Sequence, residues 1–231
     1  MAIRIQNLSK SFGGQEVFRN FSLDLPDAGC VCLFGPSGSG KSTLLNMLSG
    51  ITQPDAGTIA LPSGFKVSYV FQEDRLLPWI NAHENVKLAL EDKDAKSAQA
   101  DALFWLETLG LSDVADKLPG ELSGGMRQRV SLARAFAYGG ILLLDEPFQG
   151  IDAQAKEGIF TLLDGMKKDR LVALITHYPE EAVRLADCIH ILQYPPARIA
   201  DTITISDALR ADQLQSAQTI KKLAAHGQPD L

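Results

Sequence analysis

The stretch Gly35-Pro36-Ser37-Gly38-Ser39-Gly40-Lys41-Ser42-Thr43 follows the apolar run Cys30-Val31-Cys32-Leu33-Phe34 and precedes Leu44-Leu45-Asn46-Met47-Leu48. A flexible Gly/Ser linker is not normally clamped between a buried strand and an apolar helix. The pattern Gly-x-x-x-x-Gly-Lys-Ser between those two elements is that of a phosphate-binding loop. Its glycines let the backbone wrap with N–H groups facing inward. The start of the following helix adds partial positive charge at the same point. Lys41 is expected to reach the β- and γ-phosphates of a nucleotide, Ser42 to ligate Mg2+, and Thr43 to donate to the α-phosphate.

Outward from this loop, Val31–Phe34, Ile141–Leu144 and Leu171–Ile175 are continuous apolar runs, as in strands covered on both faces of a parallel sheet. Ile3, Ile5 and Phe21-Ser22-Leu23-Asp24-Leu25 instead alternate, as half-exposed strands do. A helix is expected over Lys41–Ser49, stopped by Gly50. Another is expected over Ala153–Lys168, with Ile159, Leu162, Leu163 and Met166 on one face and Lys167 and Lys168 closing its negative end. Residues 73–137 show helical periodicity (Leu103, Leu106, Leu109, then Gly110) and no clear strand. They read as a helical subdomain inserted into the α/β core. The tail after Asp201 holds a β-like stretch, Thr202–Ile205, and one helix within Ser206–Ala225. The whole chain, 1–231, therefore reads as one α/β domain with a helical insertion and a short tail, 201–231.

The 231 residues suffice for one large core, and 45% hydrophobic with 22% charged content is ordinary for a globular protein. A balance of 22 basic and 28 acidic residues, net −6, argues against a nucleic-acid partner. The segment Met1–Gln6 lacks a signal-peptide layout, and no apolar run approaches the roughly 20 residues a membrane span needs. Cys30, Cys32 and Cys188 sit inside apolar runs and read as buried free thiols, suited to the cytosol.

Leu122-Ser123-Gly124-Gly125-Met126-Arg127-Gln128-Arg129 opens a helix with apolar positions Met126, Val130 and Ala133. Ser123 is its expected N-cap, and the paired glycines expose backbone N–H groups. By itself this would equally mark an ordinary capped helix. Ile141–Leu144 then ends in Asp145-Glu146-Pro147, two carboxylates expected to point oppositely on a strand. Asp145 is expected to hold Mg2+, through water, and Glu146 to polarise the attacking water.

With these motifs in this order, the chain from about Ile3 to Leu192 resembles the ATP-binding subunits of ABC transporters. The resemblance implies a P-loop NTPase core with an antiparallel β-subdomain and the inserted helical subdomain. It also implies residue roles. Phe12 would stack on adenine, and Gln72, in Val70-Phe71-Gln72, would sense Mg2+ and the γ-phosphate. Leu122–Met126, with Ser123, Gly124 and Gly125, would meet ATP bound to a second copy. Asp152 would end the D-loop, and His177, after Leu174-Ile175-Thr176, would stabilise the γ-phosphate. Gly35 to Thr43, including Pro36, Ser37, Gly38, Ser39 and Gly40, would cradle the phosphates. Catalysis would rest on Glu146 as base, with Lys41, Gln72 and His177; Ser42, Gln72 and Asp145 would hold the metal. One P-loop and one signature motif imply a head-to-tail homodimer that closes on ATP and reopens on hydrolysis.

Phe71-Gln72-Glu73-Asp74-Arg75-Leu76-Leu77-Pro78-Trp79 is similar to importer ATPases of the nitrate, sulfonate and taurine group, and Ala82–Val86 and His177–Ala182 continue the likeness. It implies a membrane permease as partner, an external solute-binding protein in the same system, and a place on the inner face of the membrane. Leu76, Leu77 and Trp79 would then be permease contacts, although Leu76 and Leu77 suit the subdomain core equally well. Several features depart from the family pattern. The segment from Lys41 to Gln72 is short, implying a trimmed β-region. Tyr138-Gly139-Gly140 lacks a proline, Phe148-Gln149-Gly150-Ile151-Asp152 is an unusual D-loop, and Tyr178 stands where aspartate is frequent. A non-transport ABC ATPase or an exporter subunit is the alternative. The absence of tandem cassettes and basic arms argues against the first, and the Leu76–Trp79 segment fits the second poorly.

Overall fold

The computed structural model of the chain describes residues 3–62, 64 and 66–225. The ends of the expected domain and tail, at 1–2 and 226–231, lie outside the described residues. In chain order the elements are β1 (Ile3–Phe12), β2 (Gln15–Leu25), β3 (Gly29–Phe34), α1 (Lys41–Leu48), β4 (Ala56–Ala60), β5 (Val67–Val70), α2 (Ala82–Lys87) and α3 (Ala95–Thr108). They continue with α4 (Gly124–Tyr138), β6 (Ile141–Asp145), α5 (Ala153–Met166), β7 (Leu171–Ile175), α6 (Pro179–Leu185), β8 (Cys188–Leu192), β9 (Ile199–Thr204), α7 (Asp207–Ala211) and α8 (Gln213–Ala225). They fold as two compact units. One holds the described residues before Lys66 together with those from Met166 onward; the other is Lys66–Gly165.

In the first unit, β1 pairs antiparallel with both β2 and β4. The alternation read in the sequence is kept: Ile3, Ile5, Phe21, Leu23 and Leu25 are buried while Ser22 and Asp24 face water. Among the described residues, the five of β4 alone join this sheet from the segment after α1, giving three strands. A second sheet runs β7-β3-β8 in parallel, with β9 antiparallel beside β8. β3 and β7 are buried almost throughout, because helices α6 and α1 pack on them. Gly50 stops α1 with φ 76°, and its N–H donates to Met47 O at 3.1 Å.

The second unit pairs β5 and β6 in parallel and packs α2, α3 and α4 together. Between residues 73 and 137 there are only α2, α3, α4 and short 3₁₀ turns, with no strand. The compact unit is wider than this helical stretch, since β5, β6 and most of α5 belong to it. On α3 the buried face is Ala98, Ala102 and Leu106, with Leu109 at the helix end, whereas Leu103 is exposed. Asp94 accepts from the Lys96 and Ser97 N–H groups, starting the helix. Among the described residues no helix is long and apolar enough to cross a membrane.

Three sequence expectations are corrected here. α5 ends at Met166, so Lys167 and Lys168 do not close it. Lys167 Nζ instead donates to Leu185 O at 2.8 Å and pairs with Asp187 Oδ1 at 3.0 Å. The tail holds two helices rather than one. Asp212 breaks the chain (φ −104°, ψ 65°), and its carboxylate accepts from Gln215 N at 3.2 Å, capping α8. Cys30 and Cys32 are buried free thiols as read, but Cys188, at the start of β8, is only half-buried.

Candidate functional site

In the first unit, β3 and β7 run side by side with Leu33 opposite Ile175. The loop after β3 and the Thr176–Tyr178 segment after β7 therefore leave neighbouring strands at the same, carboxyl edge, where open α/β sheets bind ligands. Gly35 can only be glycine: a Cβ there would lie 2.3 Å from Leu192 O. Gly40 has φ 91° and lies against Val17 and Phe18. It caps α1 without a side-chain acceptor, and the first turn carries no acid. The opening N–H groups of α1 are thus left without an acidic or capping side chain, as an anion site requires.

Lys41 is 9% exposed, and its ammonium folds back onto the loop. Nζ donates to Pro36 O at 2.7 Å, Gly35 O at 2.9 Å and Ser39 Oγ at 3.3 Å. Ser39 is buried, Ser37, Gly38 and Ser42 are exposed, and Pro36 and Thr43 are half-buried. Beneath the loop, burial, with Cys30 adding to it, pushes the Cys32 thiol well up, so it stays protonated and inert.

His177 is exposed, with the Tyr178 ring 4.0 Å away between centroids. The turn that presents it is anchored from below. Thr176 Oγ1 donates to the buried Glu181 carboxylate at 2.5 Å and accepts from Tyr178 N at 3.1 Å. Phe12, at the end of β1, is 51% exposed, with the Lys10 ammonium 5.1 Å from its ring centroid.

In the second unit, β5 and β6 are in register with Val70 opposite Leu144. Phe71-Gln72 and Asp145-Glu146 accordingly leave adjacent strand ends. Gln72 is exposed and Asp145 is buried. β6 stops at Asp145, and Glu146 takes a left-handed φ of 51°. The expectation that these two acids are consecutive strand residues is corrected: the strand ends at Asp145 and Glu146 sits in a reversed backbone conformation beyond it. Such a conformation is uncommon for a residue with a Cβ.

Ser123 caps α4, accepting from Met126 N at 3.2 Å, and Gly124 begins the helix. Gly125 packs on the D-loop so closely that a Cβ would lie 2.3 Å from Gly150 O. Asp152 is exposed and caps α5 by accepting from Ala155 N at 2.9 Å. That N–H, with the Arg129 charge helping, holds its carboxyl below the usual range.

A family model described as ABC transporter matches residues 18–149, more than half of the chain. The chain belongs to the ABC transporter family. It is an ATP-binding cassette, an ATPase built on the P-loop fold of that family. It is 39% identical over 216 residues to the taurine import ATP-binding protein of Pseudomonas aeruginosa (strain UCBPP-PA14), covering 89% of this chain and 82% of that one. To the aliphatic sulfonates import ATP-binding protein of Mycobacterium sp. (strain MCS) it is 42% identical over 195 residues, covering 82% and 79%. Among solved structures, a dimeric ATP-binding cassette in a post-hydrolysis state with ADP and Pi superposes with a TM-score of 0.79 at 27% identity, covering 88% of this chain and 99% of that one.

The cassette also contains residues that the motif reading passed over. Tyr69 Oη reaches Asp145 Oδ2 at 3.4 Å, and its ring stacks on Phe71 at 4.0 Å and 17°. The Arg75 guanidinium covers Phe71, 3.8 Å from the centroid. Tyr69 and Phe71 alternate along the chain and so share a face, a spacing visible in the sequence. Of the three residues expected against a permease, Leu76 is buried and belongs to the core, Leu77 is half-buried, and Trp79 is 71% exposed. The loop carrying Trp79 is pinned by the buried Asn85. Its Oδ1 accepts from Leu77 N, and its Nδ2 donates to the carbonyls of Leu77, Ile80 and Asn81.

Proposed function

We propose that this cassette is the ATPase subunit of an importer for a small solute of the taurine, sulfonate or bicarbonate kind. The solute class follows the names of its relatives, which include a bicarbonate transport ATP-binding protein of Synechocystis at 39% identity. In this reading two copies pack head to tail on ATP, beneath a membrane permease on its cytoplasmic side, with an external binding protein supplying the solute. The observation that carries the ATPase reading is the buried Lys41 ammonium, folded over the α1 N-terminus that no acidic or capping side chain covers.

ATP fits the first unit by that chemistry. Gly35 to Thr43, including Pro36, Ser37, Gly38 and Ser39, line the phosphates, and Lys41 exchanges the Gly35 and Pro36 carbonyls for phosphate oxygens. Phe12 offers an exposed ring to the adenine. In this reading Ser42, Gln72 and Asp145 would hold Mg2+, each offering an oxygen ligand of the kind that this cation takes. Bound Mg2+ would neutralise charge on the β- and γ-phosphates. Glu146 accepts a proton from the attacking water, while Lys41, Gln72 and His177 stabilise and orient the transferred group. Ser123, Gly124 and Gly125 present the α4 N-terminus to ATP on the second copy, and Asp152 closes the D-loop beside it.

The test is a pull-down of tagged Glu146→Gln protein, with ATP and Mg2+, from detergent-solubilised membranes of its source. Recovery of a multi-span permease is expected. Recovery of soluble or nucleic-acid-associated partners alone would overturn the importer reading and leave the ATPase chemistry standing.

A further inference from the structure

Arg127, Ser131 and Arg134 lie at i, i+4 and i+7 on α4, one face of the helix. All three reach Asp74, and Arg134 also reaches Arg75. Arg127 Nε donates to Asp74 Oδ2 at 2.7 Å, and Ser131 Oγ donates to Asp74 O at 2.5 Å. The Arg134 guanidinium donates to Asp74 O at 3.3 Å and to Arg75 O at 3.1 Å. Arg127 also donates through Nη1 to Leu122 O at 2.8 Å, the carbonyl just before Ser123. One guanidinium thus joins the carboxylate two residues after Gln72 to the backbone that leads into the signature motif.

The bend held in this way is strained. Arg75 has φ 43°, in the left-handed region that a long side chain seldom occupies. Both carbonyls flanking the bend are engaged by α4, and the Arg75 guanidinium is seated on Phe71, which fixes the conformation from either side. Moving Asp74 and Arg75 away from α4 would require all four bonds to break together, whereas moving the bend and the helix as one body breaks none.

We propose that Asp74, Arg127, Ser131 and Arg134 form a positioning clasp that makes the Gln72 loop and the signature helix a single moving part. A displacement of the loop would then be delivered to Ser123–Gly125, and so to the nucleotide on the second copy. This last consequence rests on the function proposed above; the clasp itself does not.

Hydrogen exchange on the purified full-length chain tests the clasp without nucleotide or partner. Arg127→Gln is expected to raise exchange about tenfold in peptides covering both 70–78 and 120–128, the effect of losing one charge-assisted bond. Asp74→Asn should do the same, the double variant should add nothing to either single change, and Arg127→Lys should restore most of the protection. A rise confined to 120–128, or effects that add in the double variant, would overturn the clasp. In a Glu146→Gln background, ATP affinity of the monomer should stay within about twofold while ATP-driven dimerisation weakens about tenfold on adding Asp74→Asn. Undiminished dimerisation alongside raised exchange would overturn the positioning role. A Glu146→Gln parent that never dimerises would instead sink the functional reading, with the exchange result still deciding the clasp.

Discussion

The phenol of Tyr69 donates to Asp145 Oδ2 across 3.4 Å, joining the penultimate residue of β5 to the carboxylate that ends β6. The bond is long, so its contribution sits at the low end for hydrogen bonds. Tyr69→Phe keeps the stack on Phe71 and removes only this donor. Half-saturation of ATPase activity by Mg2+ is expected to shift by about twofold with melting temperature unchanged; no shift would separate Tyr69 from the metal-binding group. Burial, with the Asp145 charge adding to it, raises the Tyr69 pKa above that of free tyrosine. A raised pKa contributes stability that is complete below the unfolded value, about 10, and is lost at more alkaline pH. Tyr69→Phe should flatten the alkaline end of the stability curve, which denaturant titration between neutral and alkaline pH would measure.

Glu146, the proposed general base, has a left-handed backbone. Glu146→Gln should bind ATP and lose turnover by about 100-fold or more, the usual worth of a general base. Glu146→Gly loses the base too but relieves the backbone, so its stability should match or exceed that of the parent by up to about 1 kcal/mol. Chemical denaturation of the two variants would check the difference in sign; a clearly less stable glycine variant would mean that the carboxylate, not the backbone, dominates there.

Two glycines on neighbouring helices should respond oppositely to alanine. At Gly125 the new methyl meets Gly150 O, so overpacking should cost about 1–3 kcal/mol and ATP-driven dimerisation should fall. At Gly158, exposed in α5, nothing lies within 4 Å, and alanine should stabilise by about 0.5–1 kcal/mol. Melting curves of both variants provide the comparison.

Thr176→Val removes the hydroxyl that donates to buried Glu181 and accepts from Tyr178 N. A loss of about 1–3 kcal/mol in stability is expected. Turnover should fall through kcat rather than KM, because the turn carrying His177 loosens. Steady-state kinetics with an unchanged kcat would dissociate the anchor from the histidine.

Leu76 and Trp79 stand three residues apart and should behave differently. Leu76→Ala deletes core volume and should destabilise by about 2–5 kcal/mol. Trp79→Ala, on an exposed ring, should leave stability and basal ATPase activity unchanged while weakening permease binding. Unaltered retention of the permease by Trp79→Ala would remove this ring from the docking surface.

Much of this was legible locally. The strand-loop-helix around Gly35–Thr43 and the Ser123 cap are encoded by residues within one turn of each other, so sequence periodicity and capping rules suffice. The sequence also held a less obvious signal, the polar stripe Arg127, Ser131, Arg134, whose meaning depended on a partner more than fifty residues away. Lys167 misled for a related reason: helix periodicity says which residues share a face, but not where the helix stops.

The sequence by itself determined the nucleotide-binding chemistry, because glycines, a lysine and carboxylates at fixed spacing leave the backbone few alternatives. Only the tertiary structure decided what that chemistry rests on. Glu146 leaves the strand that ends at Asp145 through a left-handed φ, Leu76 sinks into the core while Trp79 stays out, and Asp74 is gripped by α4. Each of these depends on which distant groups are brought within bonding or packing distance, and that is fixed by how the chain packs rather than by the order of residues along it.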